Sequence, residues 1–391
     1  MIDLPAIPRI GIVGTGFISR GLGQLLLRNP YFKLSRVLTR RPLADVDYPA
    51  TEVLTHSIDD LLENSDIIVE CSGHVLHATQ VCNQAIEAGK PVVTMNSEFQ
   101  VTTGSYFVDK GIITEAEGDQ PGCLAALKEN LEIGGFEPVI YGNMKGYLNH
   151  TPSLEDMIYW ARKQGISLQQ VISYTDGTKL QIEQTFVGNA FQANIVTPGL
   201  AGPSCNSLEE GVETLLDLLP QTSPPISDYL LGSNLPKGVF IVARATDDFH
   251  QDALRYLRMG DGPYYTFLLP YHLVYMEIPR TLKRIALTNT PLMNNGTTPH
   301  LSVAAITKRA LGKGELIPHG IGSFDVRGVA VYLEEHPNHV PIGLLYHARI
   351  RQSVEPGQIL TFSDVELPES LALDAWQTIR KRVLTRTSAR A

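Results

Sequence analysis

The stretch "RIGIVGTGFISRGLGQLLLRN", Arg9 to Asn29, constrains the fold more than any other part of this 391-residue chain. A short apolar run, Ile10 to Val13, stops at Gly14-Thr15-Gly16. Ile18, Leu22, Leu25 and Leu26 then recur at the spacing of one helix face. Strand, glycine turn and helix, in that order, form the context of a phosphate-binding turn. The glycines let the backbone approach an anion, and the helix start supplies N–H groups and positive potential. The third position of G-x-G-x-x-G is Ser19, with Gly21 two further on, so the pattern is degenerate and its context carries it. Gly14, Thr15, Gly16, Phe17 and Ile18 are therefore expected to hold a dinucleotide.

The second strand falls in "KLSRVLTRR". A site for NAD commonly ends this strand with an acid that binds the ribose hydroxyls. Here it ends in Thr39-Arg40-Arg41, and two guanidiniums suit a 2′-phosphate. NADP is the expected cofactor, with NAD as the alternative if both arginines only solvate a loop. The following residues read helix, strand (Ile67 to Glu70), turn, helix, strand (Pro91 to Met95), the alternation of a doubly wound parallel sheet. The loops after these strands, Cys71-Ser72-Gly73-His74 and Asn96-Ser97-Glu98, lie on the edge where such sheets hold ligands. Ser72, Gly73 and Asn96 join the cofactor set; His74, Glu98 and the later His272 are candidate substrate-binding residues. His74 and His77 also read as ordinary helix-start residues, and His272 as a core histidine.

Composition excludes several classes. The formal charge is 32 − 41 = −9 with no long Lys/Arg run, so nucleic acid is not an expected partner. No apolar run of about 18 residues appears, so no membrane is expected either. Cys71, Cys82, Cys123 and Cys205 form no CxxC and read as reduced thiols of a cytoplasmic protein. The basic end "RKRVLTRTSARA" reads as a fraying tail.

Three regions are expected: a dinucleotide-binding domain over 1–118, an α+β catalytic domain over 119–300, and a small β-rich domain with the tail over 301–391. In the second, "EPVIYGNMKGYLNHTPSLEDMIYWARKQG" reads as a strand and a helix, with Pro152 in the first turn and a Ser153/Asp156 capping box. "ISYTDGTKLQIEQTFVGNAFQ" reads as one further helix. On one helix, Asp176, Lys179 and Glu183 share a face through offsets of three and four. The plain alternative is that Asp176 caps the helix and Lys179 and Glu183 make a surface pair. Lys145 and Asn149 lie at the end of the preceding strand and complete the candidate catalytic set. From Leu301, short β runs broken by Gly and Pro predict a β-rich module. His336 and His339 in "EEHPNHV" read as a solvated loop, a metal pair being the alternative; the metal requirement stays open.

Two resemblances follow. "GYLNHT", Gly146 to Thr151, is similar to the G-x-L-N-G-T segment of homoserine dehydrogenases, with His150 in place of a glycine. That family carries a catalytic Asp and Lys four apart on a later helix; Asp176 and Lys179 are three apart. It also places a catalytic lysine after the Asn that ends the strand matching "VVTMN", where this chain has Ser97-Glu98. A closer resemblance is to the homoserine-dehydrogenase-related family typified by the 1-deoxy-D-xylulose 5-phosphate reductoisomerase-like protein. The segments "VGTGFISRGL", "MNSEFQVTTG", "EGDQPG", "KGYLNH", "DGTKLQIE" and "PYHLVYMEIPRT" carry it, and "HARIRQSVEPGQILTFSDVEL" resembles a SAF-type module. The resemblance implies an NADP-dependent oxidoreductase acting on a small polar carbonyl compound, with sugar phosphates and reductoisomerase-like chemistry included, and a homo-oligomer. The competing readings are homoserine dehydrogenase itself and a regulatory protein that binds NADP or a sugar without turnover.

Overall fold

A computed structural model describes residues 7–219 and 225–388. By packing, the described residues form two units: 7–123, 272–298 and 370–379 in the first, and 124–219, 225–271, 299–369 and 380–388 in the second.

The first unit is built on the expected parallel sheet. Its elements are β1 (Arg9–Val13), α1 (Phe17–Leu26), β2 (Lys33–Leu38), β3 (Leu54–Thr55), α2 (Ile58–Glu63), β4 (Ile67–Glu70), α3 (Val75–Glu87), β5 (Val92–Thr94), α4 (Ser97–Thr103) and β6 (Ile113–Glu115). Six parallel strands run in the order β3-β2-β1-β4-β5-β6. The chain leaves β1 in one direction for β2 and re-enters on its other side with β4, so the sheet has a topological switch point between β1 and β4. Central strands of such a sheet are covered on both faces, which is why β4 is buried at every residue. One face packs Ile10, Ile12, Leu22, Leu26 and Val69 together with Ile278, Leu282 and Ile285 of the helix Ile278–Thr288. The other packs Val13, Ile68, Val81, Cys82 and Phe99.

The helix α5 (Gln120–Ile133) begins at the end of the first unit's leading segment and leads, in the second unit, into β7 (Phe136–Lys145), α6 (Leu154–Gln164), α7 (Leu168–Thr175) and α8 (Thr178–Phe191). The strands β8 (Ile226–Leu231), β9 (Val239–Ala245) and β10 (Tyr264–Leu269) join β7 in the order β10-β9-β7-β8. The β-rich region follows: β11 (Leu301–Thr307), β12 (Leu316–His319), β13 (Val326–Tyr332), β14 (Tyr346–Ile350) and β15 (Val365–Glu366). It pairs antiparallel as β11-β13 and β12-β14-β15.

Three local expectations change. The single helix expected across "ISYTDGTKLQIEQ" is two, because Gly177 sits between α7 and α8 with φ +85°, a left-handed conformation that breaks the helix. Pro152 lies one residue before the Ser153 N-cap of α6, not inside its first turn. The basic end is not a fraying tail through Ser388. It closes a helix, Leu371–Ser388, and only its last three residues lie outside the described ones.

Helix α8 is the centre of the second unit. It packs against β7 and β8 on one side and against β11 and β13 on the other. Every residue from Thr178 to Asn189 is buried as a result, polar ones included. Buried amides must be hydrogen-bonded, and here they tie the layers to the helix. Gln181 donates to the Gly199 carbonyl and accepts from the Ala330 N–H. Gln184 donates to the carbonyls of Tyr141 and Asp228. Asn189 accepts from the N–H groups of His300 and Leu301 and donates back to the Leu301 carbonyl.

Candidate active site

In the first unit the glycine turn meets the start of the β4–α3 loop. Gly14 has φ +102°, and a Cβ there would stand 3.0 Å from the Cys71 carbonyl oxygen and the Ser72 Cα, so only glycine fits. At Gly16 the Cβ position is open, with nothing within 4 Å. Gly16 is the N-cap of α1, no side chain caps that end, and the first turn carries no acid. The first turn of a helix presents N–H groups without intrahelical partners. Those of Gly16, Phe17 and Ile18 therefore suit a pyrophosphate, with Thr15 in the turn just before them. Ser19, the departure from the glycine pattern, is fully buried and donates to the Gly14 carbonyl at 2.7 Å, holding the turn closed.

At the end of β2, Thr39 is buried, 3.4 Å from the Thr15 hydroxyl, and accepts from the Arg41 N–H at 3.1 Å. Arg40 and Arg41 are exposed. Arg40 faces the start of α3: burial first, then the Arg40 charge, lowers both His74 and His77, His77 to about 4. His74 is the N-cap of α3 and accepts from the His77 N–H, which is the helix-start role. Asn96 caps α4 through the Phe99 N–H and donates to Glu70 at 3.0 Å. Glu70, at the end of β4, is a residue that sequence reasoning missed. Its buried carboxylate accepts from the Ser72 N–H at 2.7 Å and so fixes the loop beside Gly14, while burial holds its pKa above the ordinary value. Gly73 follows with φ +64° and open space at its Cβ position. Ser97 is buried and donates to Asp119; Glu98, next to it, is half-buried. His272 is exposed, its ring 3.1 Å from the Gly118 carbonyl, so it is not a core histidine.

In the second unit the structure brings Lys145, Lys179 and Glu183 together. Successive strand residues point to opposite faces. Ile140 and Met144 of β7 enter the apolar cluster with Leu230 and Phe240, while Tyr141, Asn143 and Lys145 turn to α8. Lys179, Glu183 and Phe191 lie on one stripe of α8, at spacings of four and eight. Phe191 meets Tyr141, with ring centroids 4.8 Å apart. Glu183 receives a hydrogen bond from the Asn143 amide at 3.1 Å. The Lys145 and Lys179 ammonium groups stand 3.8 and 3.9 Å from its two carboxylate oxygens. The surface-pair reading is overturned: Lys179 is 9% exposed and Glu183 3%. Asn143 is the second residue missed; its only sequence signal is its place two residues before Lys145 on the same strand face.

The structure places Asp176 differently from the shared helix face. It is the C-cap of α7, fully buried, accepting from the Thr178 N–H and paired with Lys308 at 2.5 Å. Lys308 also donates to the Ser323 carbonyl. Asn149 accepts from the Thr151 N–H in a local turn, and its own N–H bonds the Thr175 carbonyl, which fixes the loop after β7 to the end of α7. His339 is not in a solvated loop. It is 2% exposed, bonded to the His336 carbonyl and to Ser302. Among the described residues no group of three or more His, Cys, Asp or Glu side chains could hold a metal ion. All four cysteines are free, and no described helix is long and apolar enough to cross a membrane.

A glycine turn in one unit and a buried lysine–carboxylate cluster in the other are the candidate site residues, and family comparisons give the class. The chain is an NAD(P)-dependent oxidoreductase. Residues 14–106 match the NAD-binding domain of homoserine dehydrogenase, and residues 118–278 match the catalytic domain of oxidoreductase DRL. The chain has no match among curated proteins. It is similar to the solved structure of an oxidoreductase from Thermotoga maritima, at 16% identity and TM-score 0.40, over 73% of this chain and 90% of that one. A UDP-N-acetylglucosamine 3-dehydrogenase from Acidithiobacillus ferrooxidans is similar at 13% identity and TM-score 0.41, over 74% and 92%. A dihydrodipicolinate reductase from Paenisporosarcina sp. TG-14 is similar at 14% identity and TM-score 0.35, over 72% and 95%.

Proposed function

We propose that the protein uses NADPH in preference to NADH to reduce a small polar carbonyl compound, and that Lys179 is the proton donor. The observation that carries this reading is the Lys145–Glu183–Lys179 cluster: two ammonium groups on one buried carboxylate, at ion-pair rather than hydrogen-bond separation. A bound nicotinamide supplies the hydride. Gly14 to Ile18, Thr39, Arg40, Arg41, Ser72, Gly73 and Asn96 are the residues assigned to hold the cofactor. Asn96 acts through Glu70 and the α4 start, and Arg40 and Arg41 are the basis of the NADP preference.

The second unit has to polarise a carbonyl and protonate the alkoxide that hydride addition leaves. Lysine ammonium groups aimed at the oxygen do both in a water-poor site. Glu183 orients both lysines, and Asn143 fixes the carboxylate. The reduction balances as one hydride to the carbonyl carbon and one proton to its oxygen, with Lys179 regaining a proton from solvent. Resemblance to the reductoisomerase-like family extends the substrate class to sugar phosphates, with a carbon-skeleton rearrangement before hydride transfer. It also assigns the β-rich region as a SAF-type module. Homoserine dehydrogenase is the weaker reading, because buried Ser97 stands where that family has a catalytic lysine.

The test is turnover and NADPH affinity on one preparation of Lys179→Met. NADPH oxidation against sugar phosphates and hydroxy-aldehydes, with and without Mg²⁺ or Mn²⁺, should fall roughly 10²-fold or more while NADPH binds as before. A fully active Lys179→Met enzyme defeats the assignment.

A further inference from the structure

Two stretches that the reduction chemistry leaves unused meet in the first unit: "EGDQPG", and "PYHLVYMEIPRT" from His272 onward. The His272 ring lies 3.1 Å from the Gly118 carbonyl oxygen, and the Glu117 N–H donates to the Thr281 hydroxyl at 2.9 Å. Glu277, 3% exposed, accepts from the Leu273 N–H at 2.7 Å. Arg280 reaches both Glu117 and Glu277, at 3.3 and 3.2 Å. Gly118 has φ +108°, and a Cβ there would stand 1.9 Å from the Val274 carbonyl oxygen, so the loop closes directly onto its backbone. Val274 itself has φ +53°, a left-handed conformation that a β-branched residue adopts only where its surroundings impose it. The segment from His272 to Glu277 is thus fastened at both ends and strained between them.

That segment delivers Tyr275 to α1. A Cβ at Gly21 would stand 2.4 Å from the Tyr275 ring, so the glycine two residues past Ser19 makes room for it. The same ring meets Phe17 edge-on, with centroids 5.7 Å apart and planes at 74°. Phe17 follows Gly16 at the start of α1, and its side chain is 69% exposed. A lone exposed phenyl ring is ordinary; one braced by a strained, glycine-seated partner beside an anion turn is a built surface. We propose that Phe17 and Tyr275 form an aromatic wall for the nicotinamide ring of the cofactor, with Tyr275 as the positioning residue that holds Phe17. The order of the sheet selects that half of the cofactor. Arg40 and Arg41, assigned to the adenosine phosphate, follow β2 on one side of β1, whereas the Tyr275 loop is anchored at Gly118, after β6 at the opposite edge. A flat dihydronicotinamide ring packs well on an aromatic surface, and covering one of its faces leaves the other for the carbonyl compound. The inference rests on the assignment of the glycine turn to the cofactor.

The test follows NADPH and NADH binding to the full chain through the emission of the dihydronicotinamide ring. Beside it runs calorimetry of adenosine 2′,5′-bisphosphate, which lacks the nicotinamide half. Phe17→Ala, a change at an exposed side chain, should weaken NADPH and NADH alike by about three- to tenfold, the scale of one aromatic contact, and lower the emission gained on binding. Its affinity for adenosine 2′,5′-bisphosphate should match wild type. Tyr275→Ala should act in the same direction, and Tyr275→Phe should behave as wild type, because the ring and not the hydroxyl is used. Wild-type affinity and emission in Phe17→Ala would overturn the wall. An equal loss of adenosine 2′,5′-bisphosphate binding would also overturn it, by placing the rings at the adenosine half. Tyr275→Phe behaving like Tyr275→Ala would overturn the positioning role. Failure of wild type to bind either cofactor would instead remove the glycine-turn assignment, and the wall with it.

Discussion

Glu183 takes its significance from being buried at 3% exposure between two lysines and an amide. Glu183→Gln removes the charge that holds Lys145 and Lys179 in place while keeping the shape. Turnover should drop by at least tenfold with NADPH affinity unchanged, and steady-state kinetics beside cofactor titration will show it. A second residue-scale expectation concerns His339. Burial, ahead of its neighbours, holds its folded pKa at about 4, against 6.5 for an unperturbed imidazole. Between those values the unfolded chain binds a proton that the folded chain refuses. Stability therefore falls as pH falls through that window, by about 3 kcal/mol in full, and is unaffected by this group above it. Chemical denaturation of wild type and His339→Gln along that pH range should show a shallower loss in the variant. The sequence offered no sign of this burial, because "EEHPNHV" is mostly polar and the hydrogen-bond partner is Ser302, far away in the chain.

At the scale of elements, the α7–α8 junction explains why part of the site was legible and part was not. The apolar strand, glycine turn and helix of the first unit are local patterns, so their residues could be placed from sequence alone. The Lys179 and Glu183 pair could be read as a solvated surface pair, yet the helix from Thr178 to Asn189 is buried, with strands on both sides using its amides as hydrogen-bond partners. Long-range packing of that kind leaves no local periodicity. Nor does the pairing of Asp176 with Lys308, 132 residues away. Both members of that pair are buried, so removing one strands the other charge. Lys308→Met should cost about 3–5 kcal/mol in urea unfolding, and Asp176→Leu in the same background should return part of the loss. Gly177→Ala tests the break itself. A side chain forced to φ +85° should cost about 1–2 kcal/mol, read in the same way.

For the whole molecule, the separate cores of the two units imply a division of labour that a single set of variants can expose. Arg40 and Arg41 belong to the unit that carries the glycine turn; Lys179 and Glu183 belong to the unit built around α8. The protein as a whole is acidic, at −9, so its affinity for an anionic cofactor has to come from local charge. Replacing both Arg40 and Arg41 by Ala should weaken NADPH binding by about 1–3 kcal/mol and leave NADH almost untouched. Because such guanidiniums act partly through an exposed field, the difference should shrink as salt rises. Maximal turnover at saturating NADPH should stay near wild type, since no group that handles the proton has changed. Lys179→Met should do the reverse, losing turnover and keeping both cofactor affinities. Combined, the two changes should add, because residues with no shared partner perturb independently. Calorimetry of NADPH and NADH on the four proteins, with turnover on each, decides the matter. Equal affinity of wild type for both cofactors would remove the case for NADP, and a loss of NADPH binding in Lys179→Met would end the separation of roles.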